Sequence, residues 1–159
     1  MISLRTLGPL EIKVDGGEPP KQLTWKKHQA LVVYMVFASR HTRSKEHVIG
    51  TLWPDVKDPK HSLIAVRSDL TRYGGVTIAE VRDQLQLDPS TVEVDTVRFE
   101  DLRRERRWRE AAAMIGGEFL EGFQVSETSG FEEWLGTQRE QWRARCGEVL
   151  TREAERLSK

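Results

Sequence analysis

Hydrophobic positions change period repeatedly along the first ninety-five residues, and each change marks an element. From Ile2 to Val14 the apolar residues Ile2, Leu4, Leu10, Ile12 and Val14 alternate weakly with polar neighbours. The run is broken at Gly8-Pro9 and closed by Asp15-Gly16-Gly17, which predicts two short strands joined as a hairpin. After Thr24, read as a helix cap, Ala30, Leu31, Val33, Tyr34, Phe37 and Ala38 follow a 3.6-residue spacing that stops near Arg40, the signature of a mostly buried helix. Ser44 caps a shorter helix with Val48, Ile49 and Leu52 on one face, stopped by Pro54. Asp58-Pro59 opens a third helix, with Leu63, Val66, Leu70 and Tyr73 on one side, and Gly74-Gly75 ends it. Val76-Thr77-Ile78 and Leu85-Gln86-Leu87, joined by a charged turn at Arg82-Asp83, predict a second hairpin, and Val92-Glu93-Val94 one more β segment.

From Asp95 the pattern is helical. Val97, Phe99 and Leu102 lead into Trp108 to Ile115, a break at Gly116-Gly117, and a long helix from Ser129, where Ser129 and Glu132 have capping-box spacing. Phe131, Trp134, Leu135, Gln138, Trp142, Cys146, Val149, Leu150 and Leu157 keep one seam along that helix, expected to pack on Phe99, Leu102, Trp108 and Ile115. The expected division is therefore residues 1–95, mixed α and β, and residues 96–159, all α. The fold class is α+β.

Composition narrows the function classes. Among 159 residues, 38% are hydrophobic and 31% charged, too apolar for a disordered chain and sufficient for one or two domains. The longest apolar run, Ala30 to Ala38, is about half a membrane span, and Arg5, Glu11, Lys13, Asp15 and Glu18 occupy the place of a signal-peptide core, so a soluble cytoplasmic chain with no membrane contact is expected. Cys146 is the only cysteine; its seam position reads as a small buried hydrophobe, and Trp53, Trp108, Trp134 and Trp142 read as packing residues. The four histidines lack zinc spacing, no glycine-rich phosphate loop is present, and no carboxylates pair for acid–base work. Neither an enzyme nor a cofactor nor a metal is expected.

Charge is balanced overall, with 25 basic and 25 acidic residues, but not locally. Between Pro19 and Lys45 stand Lys21, Lys26, Lys27, Arg40, Arg43 and Lys45 without one acid. Such a run is either a solvated surface or a face that draws anions.

The order of elements, two strands, three helices and a hairpin, resembles a winged helix-turn-helix of the OmpR type with its extra N-terminal sheet. Further motifs are similar to the SARP group, the Streptomyces antibiotic regulatory proteins: Leu52-Trp53-Pro54-Asp55, His61-Ser62-Leu63, Val92-Glu93-Val94-Asp95 with Phe99-Glu100, Gly117-Glu118-Phe119-Leu120-Glu121-Gly122 and Phe131-Glu132-Glu133-Trp134-Leu135. The resemblance covers nearly the whole chain. It implies a winged helix over 1–95 followed by a bacterial transcriptional activator-type segment over 96–159. That segment is a stack of tetratricopeptide-like helix pairs in the family, matched here through roughly its first half, so it is expected to be incomplete, as a fragment or a natural short form. The resemblance also implies sequence-specific binding of double-stranded promoter DNA, commonly as two copies on direct repeats, with recruitment of RNA polymerase.

Helical spacing places the candidate DNA contacts. Opposite the apolar side of the third helix fall His61, Ile64, Ala65, Ser68, Thr71 and Arg72, the face expected to enter the major groove. Lys60 and Arg72 are candidates for phosphates, Ser68, Thr71 and His61 for base edges or backbone, and Ile64 for a thymine methyl. Arg67, at the edge of the apolar side, is expected to reach the DNA backbone, and Arg82 at the hairpin tip the adjoining minor groove. Where the family usually carries arginines this chain has Ile64 and Asp69, and Asp69, Glu80 and Asp83 are expected near the same face, weakening phosphate attraction. The competing reading is a winged helix that docks a protein and no longer reads DNA.

Overall fold

The computed structural model describes every residue from Met1 to Lys159. In chain order the elements are β1 (Ile2–Arg5), β2 (Glu11–Val14), α1 (Lys26–Val36), β3 (Thr42–Ser44), α2 (Lys45–Leu52), α3 (Pro59–Gly74), β4 (Ile78–Val81), β5 (Gln84–Leu87), β6 (Val92–Val94), α4 (Asp95–Arg104), α5 (Trp108–Ala113) and α6 (Ser129–Leu157). Two three-stranded sheets form, ordered β2-β1-β6 and β3-β5-β4. No helix is long and apolar enough to cross a membrane. The chain makes two compact units, one of residues 1–3, 12–93 and 124–133, the other of residues 4–11, 94–123 and 134–159.

In the first unit the apolar faces read from sequence are the buried ones: Ala30, Leu31, Val33 and Tyr34 of α1, Val48 and Leu52 of α2, Leu63, Val66 and Leu70 of α3, and Leu85 and Leu87 of β5. Trp53, closing α2, is buried too. Ser44 accepts the His47 N–H and Asp58 the His61 N–H, so α2 and α3 begin at the expected caps. Gly75, in the left-handed region at φ 67°, ends α3. The start of α1 differs from expectation. Pro19-Pro20 leads into a 3₁₀ turn over Lys21–Thr24, the Thr24 hydroxyl donates to the Lys21 carbonyl, and Trp25 stands at the cap position without a side-chain bond. Strand β3 was not foreseen either. Thr42-Arg43-Ser44 carries no apolar alternation and becomes a strand only because β5 pairs with it, Arg43 opposite Leu85.

In the second unit one carboxylate organises the segment after β1. Asp95 accepts the Thr6 N–H at 2.9 Å, the Thr6 hydroxyl at 2.7 Å and the Leu7 N–H at 3.0 Å. Thr6 and Leu7 are fully buried, so these donors have no access to water. Residues 116–121 run beside the same segment: the N–H groups of Gly116, Leu120 and Glu121 donate to the carbonyls of Leu7, Thr6 and Gly8. Gly116 lies so close that a Cβ on Gly8 would come within 3.1 Å of its backbone, which explains why a side chain is absent there. The aromatic rings of Phe119 and Phe99 pack on Trp142, stacked at 5.7 Å and edge-on at 6.2 Å, and Arg139 donates to the carbonyls of Phe119, Leu120 and Phe123.

The long seam is only partly covered. Phe131, Leu135, Trp142 and Val149 are buried, Trp134, Gln138 and Cys146 are half-buried, and Leu150 and Leu157 are exposed. Lengths give the reason: α4 and α5 are roughly 15 and 9 Å long against about 43 Å for α6. The capping box expected from the spacing of Ser129 and Glu132 does not form, since Glu132 accepts the N–H of Val125 instead of that of Ser129.

Candidate nucleic-acid interface

Helix α3 is long enough, at 16 residues or about 24 Å, to cross a major groove roughly 12 Å wide. It is capped at both ends and buried along one side, which leaves the opposite face to solvent. On that face His61, Ile64, Ala65, Ser68, Thr71 and Arg72 are all exposed, with Lys60 exposed in the first turn. Ile64 stands 61% open to solvent, a position that burial in the core does not explain. Thr71 is partly engaged: its hydroxyl lies 3.1 Å from the Arg67 carbonyl and 2.9 Å from that of Val76, leaving it an acceptor. Arg72 makes no ion pair, its guanidinium lying 5.3 Å from the centre of the Tyr73 ring.

Strands β4 and β5 pair from Ile78 opposite Leu87 to Val81 opposite Gln84, leaving the two-residue turn Arg82-Asp83 at φ 50° and 63°. Positive φ at both turn residues matches the right-handed twist of a tight hairpin, and it projects Arg82 into solvent. Lys45 binds this hairpin from the side, its backbone N–H donating to the Asp83 carbonyl at 2.9 Å.

Arg67, expected to reach the DNA backbone, and Asp69, expected near the same face as an opposing charge, are both engaged within the protein. Arg67 turns away from solvent toward β4, its Nε and Nη2 donating to the Ile78 carbonyl at 3.2 and 2.7 Å, with Nη1 3.6 Å from Glu80. Glu80 also meets Lys45 Nζ at 3.3 Å, so its charge is offset locally. Asp69 points to α1, where a carboxylate oxygen lies 2.8 Å from Nε2 of the buried His28; a carboxylate only accepts, so Nε2 carries the hydrogen. Of the acids expected to weaken the face, Asp83 alone is both exposed and without an ion pair.

The basic run between Pro19 and Lys45 does not act as one patch. Arg43 lies with its guanidinium 3.6 Å from the centre of the Tyr34 ring and donates to the Tyr34 carbonyl, and burial holds its pKa below the ordinary value against the pull of Tyr34. Lys27 donates to the Leu52 carbonyl and sits 5.6 Å from the Trp53 ring centre; desolvation lowers its pKa while Glu127 opposes that. Lys45 is held by Glu80. These residues stabilise the three-helix unit, and Lys21 and Arg40 remain on the surface. The pattern of charges along the chain carried no sign of this division, because which cations are covered depends on the helices beside them.

The second unit carries a groove of about 370 Å³ lined by Ile115, Phe119, Trp142, Cys146 and Leu150. Burial pushes the Cys146 thiol up from its ordinary pKa, and Asp95 and Glu100 push the same way. That makes it a poor nucleophile.

No protein-family model and no curated protein matches the chain. Among solved structures it is similar to Mycobacterium tuberculosis EmbR in complex with a low affinity phosphopeptide, with a TM-score of 0.64 at 17% sequence identity over 93% of this chain. The chain spans 45% of the length of that structure. At this identity the likeness concerns the fold, a mixed α and β arrangement that both chains share.

Proposed function

We propose that the protein is a bacterial transcription regulator of the SARP type that binds double-stranded promoter DNA in the cytoplasm. Residues 1–95 serve as the winged helix-turn-helix and residues 96–159 as an activator-type, tetratricopeptide-like segment. Helix α3 enters the major groove, where His61, Ile64, Ser68 and Thr71 meet base edges and Lys60 and Arg72 meet phosphates. Arg82 reaches the adjoining backbone or minor groove from the hairpin. The helical segment supplies contacts to a second copy or to RNA polymerase, as the family resemblance implies.

The observation that carries this reading is the outer face of α3: a helix buried on one side, capped at both ends, showing a solvent-open isoleucine among hydroxyls, an imidazole and an unpaired arginine. The engagement of Glu80 by Lys45 and Arg67, and of Asp69 by the His28 N–H, supports it, because both carboxylates beside the groove-facing side are held by partners within the protein. A second reading, a protein-docking winged helix, draws on the same exposed Ile64 and the sparse cations of α3. Titrating the chain onto DNA from upstream of its own gene at two salt concentrations separates them. Tight, salt-sensitive binding with preference over random duplex is expected, whereas flat weak binding at both concentrations would favour protein docking.

A further inference from the structure

The β4–β5 hairpin is attached unequally at its two edges. On one side β5 lies against β3, with Ser44 opposite Gln84 and Lys45 continuing the contact to the Asp83 carbonyl. On the other side β4 is the free edge of a sheet ordered β3-β5-β4. In a hairpin closed by a two-residue turn the residues flanking the turn exchange hydrogen bonds, and pairs alternate from there. Val81–Gln84 and Ala79–Gln86 are then the bonded pairs, while Ile78 and Glu80 turn their backbone groups outward. The outward Ile78 carbonyl is the group that Arg67 takes with two N–H donors. Glu80, two residues along the same edge, faces Arg67 Nη1 and Lys45 Nζ together.

We infer that Arg67 is a positioning residue, which fixes the angle between α3 and the hairpin so that Arg82 meets DNA while α3 lies in the groove; this rests on the DNA-reading assignment above. The planar guanidinium suits the task because it offers parallel donors at fixed spacing, which a lysine ammonium does not. Glu80 faces the guanidinium at Nη1, and Lys45 shares that carboxylate, so α2, α3 and β4 meet at one charged node. The consequence is specific. A phosphate-contacting Arg67 would be replaced fairly well by lysine, since charge is retained. A positioning Arg67 would not.

The test uses the full chain as parent, Arg67→Lys, Arg82→Ala and the double variant, with a duplex selected by the parent from a randomised pool and a random duplex of equal length. Arg82→Ala lowers the slope of log affinity against log salt by about 0.9. Arg67→Lys is expected to lower that slope by the same amount although it removes no charge, and Arg82→Ala is expected to add little on top, the two losses falling short of multiplying by about fivefold or more. An unchanged slope in Arg67→Lys, or losses that multiply, would make Arg67 an ordinary backbone contact and overturn the inference. Hydrogen exchange of the Ala79 and Val81 amides is read without DNA. It is expected to quicken in Arg67→Lys, and in Glu80→Gln as a second variant, while the buried amides of α1 keep their rates. Equal exchange in parent and variants would overturn the link between Arg67 and the hairpin. A parent chain that bound neither duplex would sink the DNA reading, and the exchange rates would still decide whether Arg67 holds the hairpin.

Discussion

Replacing Asp95 by alanine removes the shared acceptor of three donors, the N–H and hydroxyl of Thr6 and the N–H of Leu7. Each donor sits on a fully buried residue, so water does not replace the lost partner without opening the segment. A hydrogen bond to a charged group contributes about 1.5–3 kcal/mol, and a buried donor left unpaired costs about 1–3 kcal/mol. Three such bonds to one carboxylate do not add fully, and the Thr6 hydroxyl is free to rotate, which brings the expected loss to about 3–4 kcal/mol. For a chain of this size that corresponds to a fall of roughly 10 °C in melting temperature. The assay is urea and thermal unfolding of parent, Asp95→Ala and Asp95→Asn, followed by circular dichroism and tryptophan fluorescence. Asparagine keeps one acceptor oxygen and should lose less than alanine. Thr6→Val, made in the Asp95→Ala background, should cost much less than in the parent, because its hydroxyl has already lost its partner. A loss below about 1 kcal/mol for Asp95→Ala would refute the reasoning, since it would mean the donors find water or other acceptors at little cost.

Trp142→Ala, which empties the space between Phe119 and Phe99, is expected to cost about 3–5 kcal/mol, and an unchanged melting temperature would contradict its place in the core. Ile64→Ala is expected to remove about 1–3 kcal/mol of discrimination between sequences with little effect on random DNA; a binding survey over randomised duplexes that returned the parent's preference at every position would show that α3 is not the reader. Arg72→Ala, by contrast, should weaken selected and random duplexes alike and lower the salt slope by about 0.9, and a loss confined to the selected duplex would move Arg72 to base readout. With its thiol pKa raised by burial and by Asp95 and Glu100, Cys146 holds less thiolate at neutral pH than an ordinary cysteine, so its alkylation by iodoacetamide should be slower than that of free cysteine and should keep accelerating above the ordinary thiol pKa. Alkylation as fast as free cysteine at neutral pH would refute that.

Helix existence, the ends of α2 and α3 and most of the buried sides were legible in the order of residues, because they depend on neighbours within a few positions. The caps Ser44 and Asp58, the stop at Gly75, the stripe Leu63, Val66 and Leu70, and the turn Arg82-Asp83 all follow from local chemistry. The outward set on α3 was legible for the same reason, being the complement of that stripe. What escaped was the polar pairing fixed by partners distant in the chain. Thr42-Arg43-Ser44 is a strand only beside β5, and Asp95 becomes a three-way acceptor only once residues 4–11 lie next to it. Polar side chains are the extreme case. Arg67 and Asp69 lie on α3 as helical spacing requires, yet spacing fixes only where a side chain leaves the helix, and its polar end settles on whatever acceptor or donor the fold brings near. Arg67, which spacing assigned to the DNA backbone, lies on the edge of β4, and Asp69, which spacing set near the same face as an opposing charge, lies on His28 of α1.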